Sequence, residues 1–483
     1  MNSPGVSQSS FDVVVVGNGA LGLSLGLVLA RRGQTVAVLG QPHRPMAGST
    51  AAGAMLGSFA EVTTSLVASE AGRAKLELGI RATSLWPEWL AGLGDDAAER
   101  IVTADGTTVI LNAIGMAEID DTNYRAIRTE LDRYSGAYED VDPLDLEWVD
   151  AEPISRPLRA FHIPGEHAVS TPALLERLQS AFLAEGGTVI AQQATRVDHE
   201  GDRVTGVTLE NGDRLTAGQV TLAAGAQSQA LIDGLPVAGR IPPLVSGYGV
   251  SVLMKTVDGT APRSVIRTPN RSFACGLHVV PRGEGEVYLG ATNVVSIRPR
   301  DVADMRDLVF LLQCAHRQVR RKLWDSQVEK VQVGNRPIAL DGFPLIGSGG
   351  MAGLWLLTGT YRDGVHLSPL LAQEMADRIL GEPGSVDLDR FTPLRKPLQE
   401  WTRDRIVNDT VEHWIGIGYE QDWQIPVDWH QWIETDLRPA TERWVEDIDP
   451  EFTPPAELVF LSRMDPEALK LLREYYARTR EVW

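Results

Sequence analysis

Residues 13–22 read VVVVGNGALG, and the next apolar run, residues 36–42, reads VAVLGQP. The first stretch decides the fold. FDVVVVG at 11–17 is a continuous β-branched run, the pattern of a parallel strand buried on both faces. Residues 20–32 follow with helical character, closed by Gly33, and residues 34–39 read as the next strand. Gly17, Gly19 and Gly22 therefore sit at a strand-to-helix turn. There the first glycine allows the turn, the second lets backbone approach a pyrophosphate, and the third lets helix and strand pack closely. The helix N-terminus starting at Ala20 favours phosphate charge. Such a fold usually ends its second strand with an acid that holds a ribose, about 20 residues on. Here that position is Gly40. Gln41 supplies a neutral hydrogen-bonding substitute. One lost charged contact costs about 1.5–3 kcal/mol, which a large dinucleotide with many contacts survives.

Composition narrows the class. The chain has 483 residues, 43% hydrophobic and 23% charged, enough for two large domains or two plus an appendage. A net charge of −19 and a pI near 5.0 argue against nucleic-acid or anionic-membrane partners. Cys275 and Cys314 make neither a disulfide framework nor a metal site, and the nine His show no metal spacing. A reducing, cytoplasmic setting is expected. The N-terminus MNSPGVSQSS lacks a basic region before an apolar run, so no secretory signal is read there. The apolar stretch at 13–30 is broken by Gly17, Gly19, Gly22 and Gly26, which favours strand–turn–helix over a membrane span.

Further along, residues 60–150 begin helical and become mixed. A helix at 172–184 carries Pro172 in its first turn. Strand signals follow at GTVIAQQATRVDHE, at DRVTGVTLENGDRLTA with an Asn211-Gly212 hairpin turn, and at QVTLAAGA. Residues 241–295 alternate as an antiparallel sheet would, inserted between pieces of the dinucleotide domain. A helix is expected over about 300–323 and another at SPLLAQEMADRILG, ending at Gly381. Residues 401–483 carry seven of the twelve Trp and a net charge of −9. Asp465 caps a final amphipathic helix with Pro466 in its first turn.

Five stretches together resemble the glycine oxidase and D-amino-acid oxidase family of FAD enzymes, most closely its glycine oxidase branch. They are the glycine loop with AGSTAAGAMLGSFAE at 47–61, VTLAAGAQS at 220–228, LHVVPRGEGEVYLGATN at 277–293, GNRPIALDGFPLIG at 334–347 and TGTYRDGVHLSP at 358–369. The resemblance covers roughly residues 11–395. It implies an α/β fold: a Rossmann-type FAD-binding domain at 11–60, 150–235 and 330–395. An inserted antiparallel-sheet substrate domain takes 61–149 and 236–329, and 396–483 is a Trp-rich C-terminal extension.

The resemblance also implies site residues. Non-covalent FAD would meet Gly17, Gly19, Ala20, Gly22, Gly40, Gln41, Ser49, Thr50, Ala51, Ala52, Gly53 and Met55. It would also meet Val197, Ala224, Gly225, Arg336, Asp363, Gly364, Val365 and His366. Small side chains at 49–53 let backbone lie against the cofactor. Arg336 matches the arginine that grips the substrate carboxylate, where a planar guanidinium gives two parallel hydrogen bonds. Arg362 matches a second pocket arginine. His278 stands where the family often has Tyr, and as a lone His it equally suits a satisfied core position. Asn293 and Tyr361 border the substrate. Arg336, Arg362 and His278 are thus the candidate catalytic residues, with no metal.

The implied reaction oxidises an amine carbon beside a carboxylate by hydride transfer to flavin, with O2 as acceptor. Two alternatives stay open: a dehydrogenase or tailoring oxidase of a larger amine, and a flavin-binding subunit of a complex. The Trp-rich extension suits either packing on its own chain, a homo-oligomer included, or a partner.

Overall fold

The computed structural model describes residues 9–114, 117–271, 276–420, 423, 425–426 and 429–483. Cys275 lies outside the described residues, and Cys314 is buried. The described residues fold around two large sheets, with a small two-stranded one formed by Val102–Ala104 and Ala168–Val169. The first has eight strands, with a parallel core ordered Leu354–Thr358, Arg214–Leu222, Ser10–Val16, Val36–Leu39 and Thr188–Ile190. Antiparallel strands Leu345–Ser348, Arg203–Leu209 and Ala194–Glu200 complete it.

The VVVV run explains the layering. Val13 and Val15 pack under a helical layer, while Val14 and Val16 pack with Val207, Leu215 and Leu356 on the other face. The helix Ala20–Arg31 is buried nearly all round, with Leu23, Leu25, Leu27 and Leu29 fully enclosed. It lies between the sheet and the helices Thr171–Ala184 and Ser368–Leu380, so each such leucine contributes about 1.5–3 kcal/mol. Both Gly33 and Gly381 stand in the left-handed region just past their helices, as the sequence predicts.

The second sheet has nine strands. Its spine is the long antiparallel pair Leu244–Lys255 and Gln327–Ala339, flanked by Glu286–Gly290 and His278–Gly283. The pairing is antiparallel except where Val265–Arg267 runs parallel to Thr107–Asn112. Pro157–Ile163 also joins this sheet. The helix expected over 300–323 is shorter: Met305–Gln318, then a 3-10 turn at Arg321–Asp325. The break follows Val319, whose φ of −120° leaves the helical region.

After residue 400 the described residues form four helices: Arg403–Glu420, Trp429–Ile448, Ala456–Met464 and Pro466–Val482. Asp465 caps the last, accepting from the Glu467 amide. Ile406, Val411, Ile415, Val445, Leu458 and Val459 pack with Val245, Val295 and Ile338 of the second sheet. The extension is therefore built onto the back of that sheet. Among the described residues, no helix is long and apolar enough to cross a membrane.

Candidate functional site

A cleft of about 980 Å³ runs between the sheets, a size that suits a large cofactor with its substrate. One end is the glycine turn. A side chain at Gly17 would clash with the Ala223 carbonyl, and one at Gly22 with the carbonyl of Gly17. Strand, turn and helix can meet only because both positions lack Cβ. The helix starts with an extended Gly19 and no side-chain cap of its own. The Ala20 amide instead donates to Ser49 Oγ at 3.2 Å, so the 49–53 loop sits across the helix N-terminus. Unsatisfied amides there form a ready anion site.

Gly40 has a steric explanation. A Cβ at this position would run into the Asn18 side chain, which donates to the Gln41 carbonyl at 3.0 Å. Arg44 lines the same end of the cleft, donating from Nε to the Asn18 carbonyl at 2.8 Å and from Nη2 to Gln179 at 3.0 Å. Burial lowers its pKa. Asn18 thus occupies the ground where an acid at position 40 would otherwise stand, a fit invisible without the fold.

The 47–61 loop passes along the cleft. The Ala51 carbonyl accepts from Tyr288 Oη at 3.0 Å, and the Gly53 carbonyl from Arg282 Nη2 at 3.1 Å. Arg282 is a prop the sequence reading missed. Its neighbour in the hairpin, Tyr288, stacks on His278 with centroids 5.8 Å apart.

At the other end, Arg336 rises from Gln327–Ala339 opposite Gly247. Its Nη1 donates to the carbonyls of Gly247 at 3.5 Å and Thr292 at 3.2 Å, and to Asn293 Oδ1 at 3.1 Å. Its Nη2 has no partner among the described residues, and no described carboxylate pairs with it. Gly249, which lacks a side chain, leaves room for this guanidinium. Asn293 then donates to Tyr361 Oη, which donates to Glu457 Oε2 at 3.1 Å. Tyr361 holds a φ of +54°, a strained conformation for a residue with a side chain.

Arg362 lies differently. It stacks on the Tyr361 ring at 4.7 Å and stands 3.7 Å from Glu61, which also pairs with Arg267. Burial alone would raise the Glu61 carboxyl, yet Arg267 and Arg362 hold it well below the usual carboxylate range. Asp363 pairs with Lys75 at 2.7 Å. His366 shares a hydrogen bond with Thr83 at 2.8 Å, and burial pushes its pKa down to about 4.

His278 is buried, with Nδ1 2.9 Å from the Gly276 carbonyl. Burial, then the Arg267 charge, push its pKa down to about 4. A carbonyl only accepts, so the proton of this neutral ring sits on Nδ1 and Nε2 accepts. In that tautomer Nε2 has no proton to donate to a ligand.

The cleft gathers most of the expected residues: Gly17, Gly19, Ala20, Gly40, Gln41, Ser49, Ala51, Ala52, Gly53, Met55, Ala224 and Gly225 line it. Arg336, His278, Tyr361, Arg362, Asp363, Gly364, Val365 and His366 line it as well. Four lie behind the wall. Gly22 packs the turn, and Thr50 donates to the Ala47 carbonyl at 3.1 Å. Asn293 braces Arg336. Val197 is core, and the wall there is Gln193, Ala194 and Thr195 instead. No cysteine lines the cleft among the described residues. Nor does any group of three or more His, Cys, Asp and Glu among them form a metal site.

Comparison with known proteins agrees with this geometry. Residues 12–378 match the family model described as FAD dependent oxidoreductase (DAO). Glycine oxidase from Pseudomonas putida is 26% identical over 393 residues, spanning 80% of this chain and 98% of that protein. The glycine oxidase from Geobacillus kaustophilus is 27% identical over 395 residues, 80% and 97% of the two chains. The crystal structure of a Geobacillus kaustophilus glycine oxidase superposes with a TM-score of 0.67 at 24% identity, covering 80% of this chain and 99% of that one. The family model ends before the four C-terminal helices.

Proposed function

The chain belongs to the family of FAD-dependent oxidoreductases, and on that footing we propose that it oxidises the C–N bond of an amino acid or related carboxylated amine, with O2 as acceptor. The observation that carries this reading is Arg336. Its guanidinium lines the cleft, is oriented through Nη1 by three oxygens, and has no carboxylate partner among the described residues. A partly buried cation so arranged calls for an anionic ligand, and a carboxylate matches its fork. A subunit that only stored flavin would have no use for it.

The glycine turn, the N-terminus of the helix Ala20–Arg31 and the 49–53 loop would hold FAD, which would supply the acceptor for the substrate's Cα hydride. The protein's own part is orientation. Arg336 fixes the carboxylate, so the Cα–H direction is set before reaction. His278 Nε2, an acceptor, suits an amine N–H rather than the carboxylate. The same neutral ring adds no positive charge beside the amine. The imine left by loss of the hydrogen hydrolyses to a keto acid and ammonia, and O2 becomes H2O2. This extends to the present chain an activity named for its glycine oxidase relatives.

Peroxide release in air tests it. Alanine is compared with ethylamine, which lacks only the carboxylate. The expected result is peroxide from the amino acid and a rate at least 100-fold lower from the amine, the scale of a lost bidentate ion pair at about 1.5–3 kcal/mol per charged hydrogen bond. Equal rates would remove Arg336 from its role.

A further inference from the structure

A second cavity of about 160 Å³ opens beside the Arg362 turn, sharing Glu61, Tyr361 and Arg362 with the main cleft. Its far wall comes from the C-terminal extension, which lies beyond the family model. Most of the surface it exposes is apolar, with Leu66, Leu76, Phe343, Trp401, Ile406 and Ala456 in the wall, although polar residues such as Ser58, Thr63, Ser65 and Asn270 also border it. Trp401 is fixed there, donating from Nε1 to the Ser65 carbonyl at 2.8 Å and stacking on Phe343 at 5.4 Å.

The charged groups around this chamber are already engaged by the protein. Glu61 pairs with Arg267, Asp363 with Lys75, and Asp409 with Arg405 at 2.9 Å. Glu457 accepts from Tyr361, and burial pushes its carboxyl up against the opposing Arg362 charge. What remains for a ligand to meet is the apolar wall. A water takes about 30 Å³ of liquid, so the chamber holds a group of about five heavy atoms.

We propose that this chamber receives the substrate's side chain, and that the preferred substrate is an amino acid with an aliphatic or thioether side chain of about four heavy atoms rather than glycine. The inference rests on the reading that Arg336 grips the substrate carboxylate. The carboxylate would lie at Arg336 and the side chain would extend past Tyr361 and Arg362 into the chamber. The extension is then a specificity element, supplying the wall through Trp401, Ile406 and Ala456.

Acids without an amine test binding apart from turnover. The holoenzyme is titrated with acetate and with 4-methylpentanoate, following the flavin absorption band. Glycine, leucine and methionine, both enantiomers where they exist, are then assayed for peroxide. The expected result is binding of 4-methylpentanoate at least 10-fold tighter than acetate, since each added methylene in an apolar pocket gains about 10–200-fold. Ala456→Trp, which fills the chamber, is expected to erase that preference and leave acetate binding as it was. Ile406→Ala, which enlarges it, shifts the preference to longer chains and serves if the first variant does not fold. Equal binding of the two acids by the unmodified protein, or variants that change both alike, would overturn the proposal. Oxidation of glycine alone would overturn it while leaving the carboxylate reading intact. Failure of every acid to perturb the flavin, with no amino acid oxidised, would overturn both.

Discussion

The Arg336 guanidinium is oriented by the Gly247 and Thr292 carbonyls and by Asn293 before any ligand arrives. Arg336→Ala is therefore expected to lower kcat/KM by about 10²–10³-fold, the loss of a bidentate charged pair. Arg336→Lys should recover little, because an ammonium does not reproduce the fork. His278 gives a pH prediction. Its folded pKa is about 4, against about 6.5 for an ordinary His. The unfolded chain takes the proton first as pH falls. The stability contributed by the neutral ring is thus complete above about 6.5 and is lost progressively toward 4. The fall in Tm between pH 7 and pH 5 should be smaller in His278→Gln than in the unmodified protein. An equal fall would contradict a neutral, buried ring. Gly40 was legible as a departure but not as a fit. Gly40→Asp should weaken FAD binding because the new side chain meets Asn18, and Asn18→Ala in the same chain should restore it. Fluorescence titration of FAD reads both.

At the scale of elements, the strand-to-helix turn was readable because its chemistry is local: a β-branched run, three spaced glycines, and a left-handed Gly33. The caps at Asp465 and Gly381 were readable for the same reason. Pairing partners were not. The family resemblance assigns residues 150–235 and 330–395 to the FAD-binding domain. Yet Pro157–Ile163 pairs with Thr107–Asn112, and Gln327–Ala339 with Leu244–Lys255. A strand's alternation shows which of its faces is buried, not which neighbour it hydrogen-bonds. The same limit hid Gly249, which looks like an unremarkable glycine in YGVSV until Arg336 crosses it. Gly249→Ala is expected to displace the guanidinium, raising substrate KM by at least 10-fold with the flavin spectrum retained. An unchanged KM would mean that the guanidinium has another seat.

At the scale of the whole molecule, the extension behaves as part of the body. Of its tryptophans, Trp401 and Trp444 donate inside the protein, to Ser65 and Ser462, while Trp429 and Trp432 are 48% and 64% exposed. Arg271 ties Asp120 to Glu420, with Arg271 and Asp120 both buried. Removing the arginine leaves two carboxylates without their countercharge, so Arg271→Ala is expected to cost about 3–5 kcal/mol, read by denaturant midpoint. Ile415→Ala, in the seam with the second sheet, should cost about 2–5 kcal/mol. Composition announced the extension, yet neither its seat on the sheet nor its share of the chamber wall was readable, since both depend on long-range packing.

The central claim is that this cleft binds FAD and uses Arg336 to present a carboxylated amine to it. The most direct measurement is the visible spectrum of the purified protein under anaerobic addition of an amino-acid panel, repeated with Arg336→Ala. The account predicts a flavin band that bleaches with amino acids, fails to bleach with their decarboxylated amines, and bleaches at least 100-fold more slowly in the variant. A protein that takes up no flavin, or a variant that bleaches as fast as the parent, would contradict it.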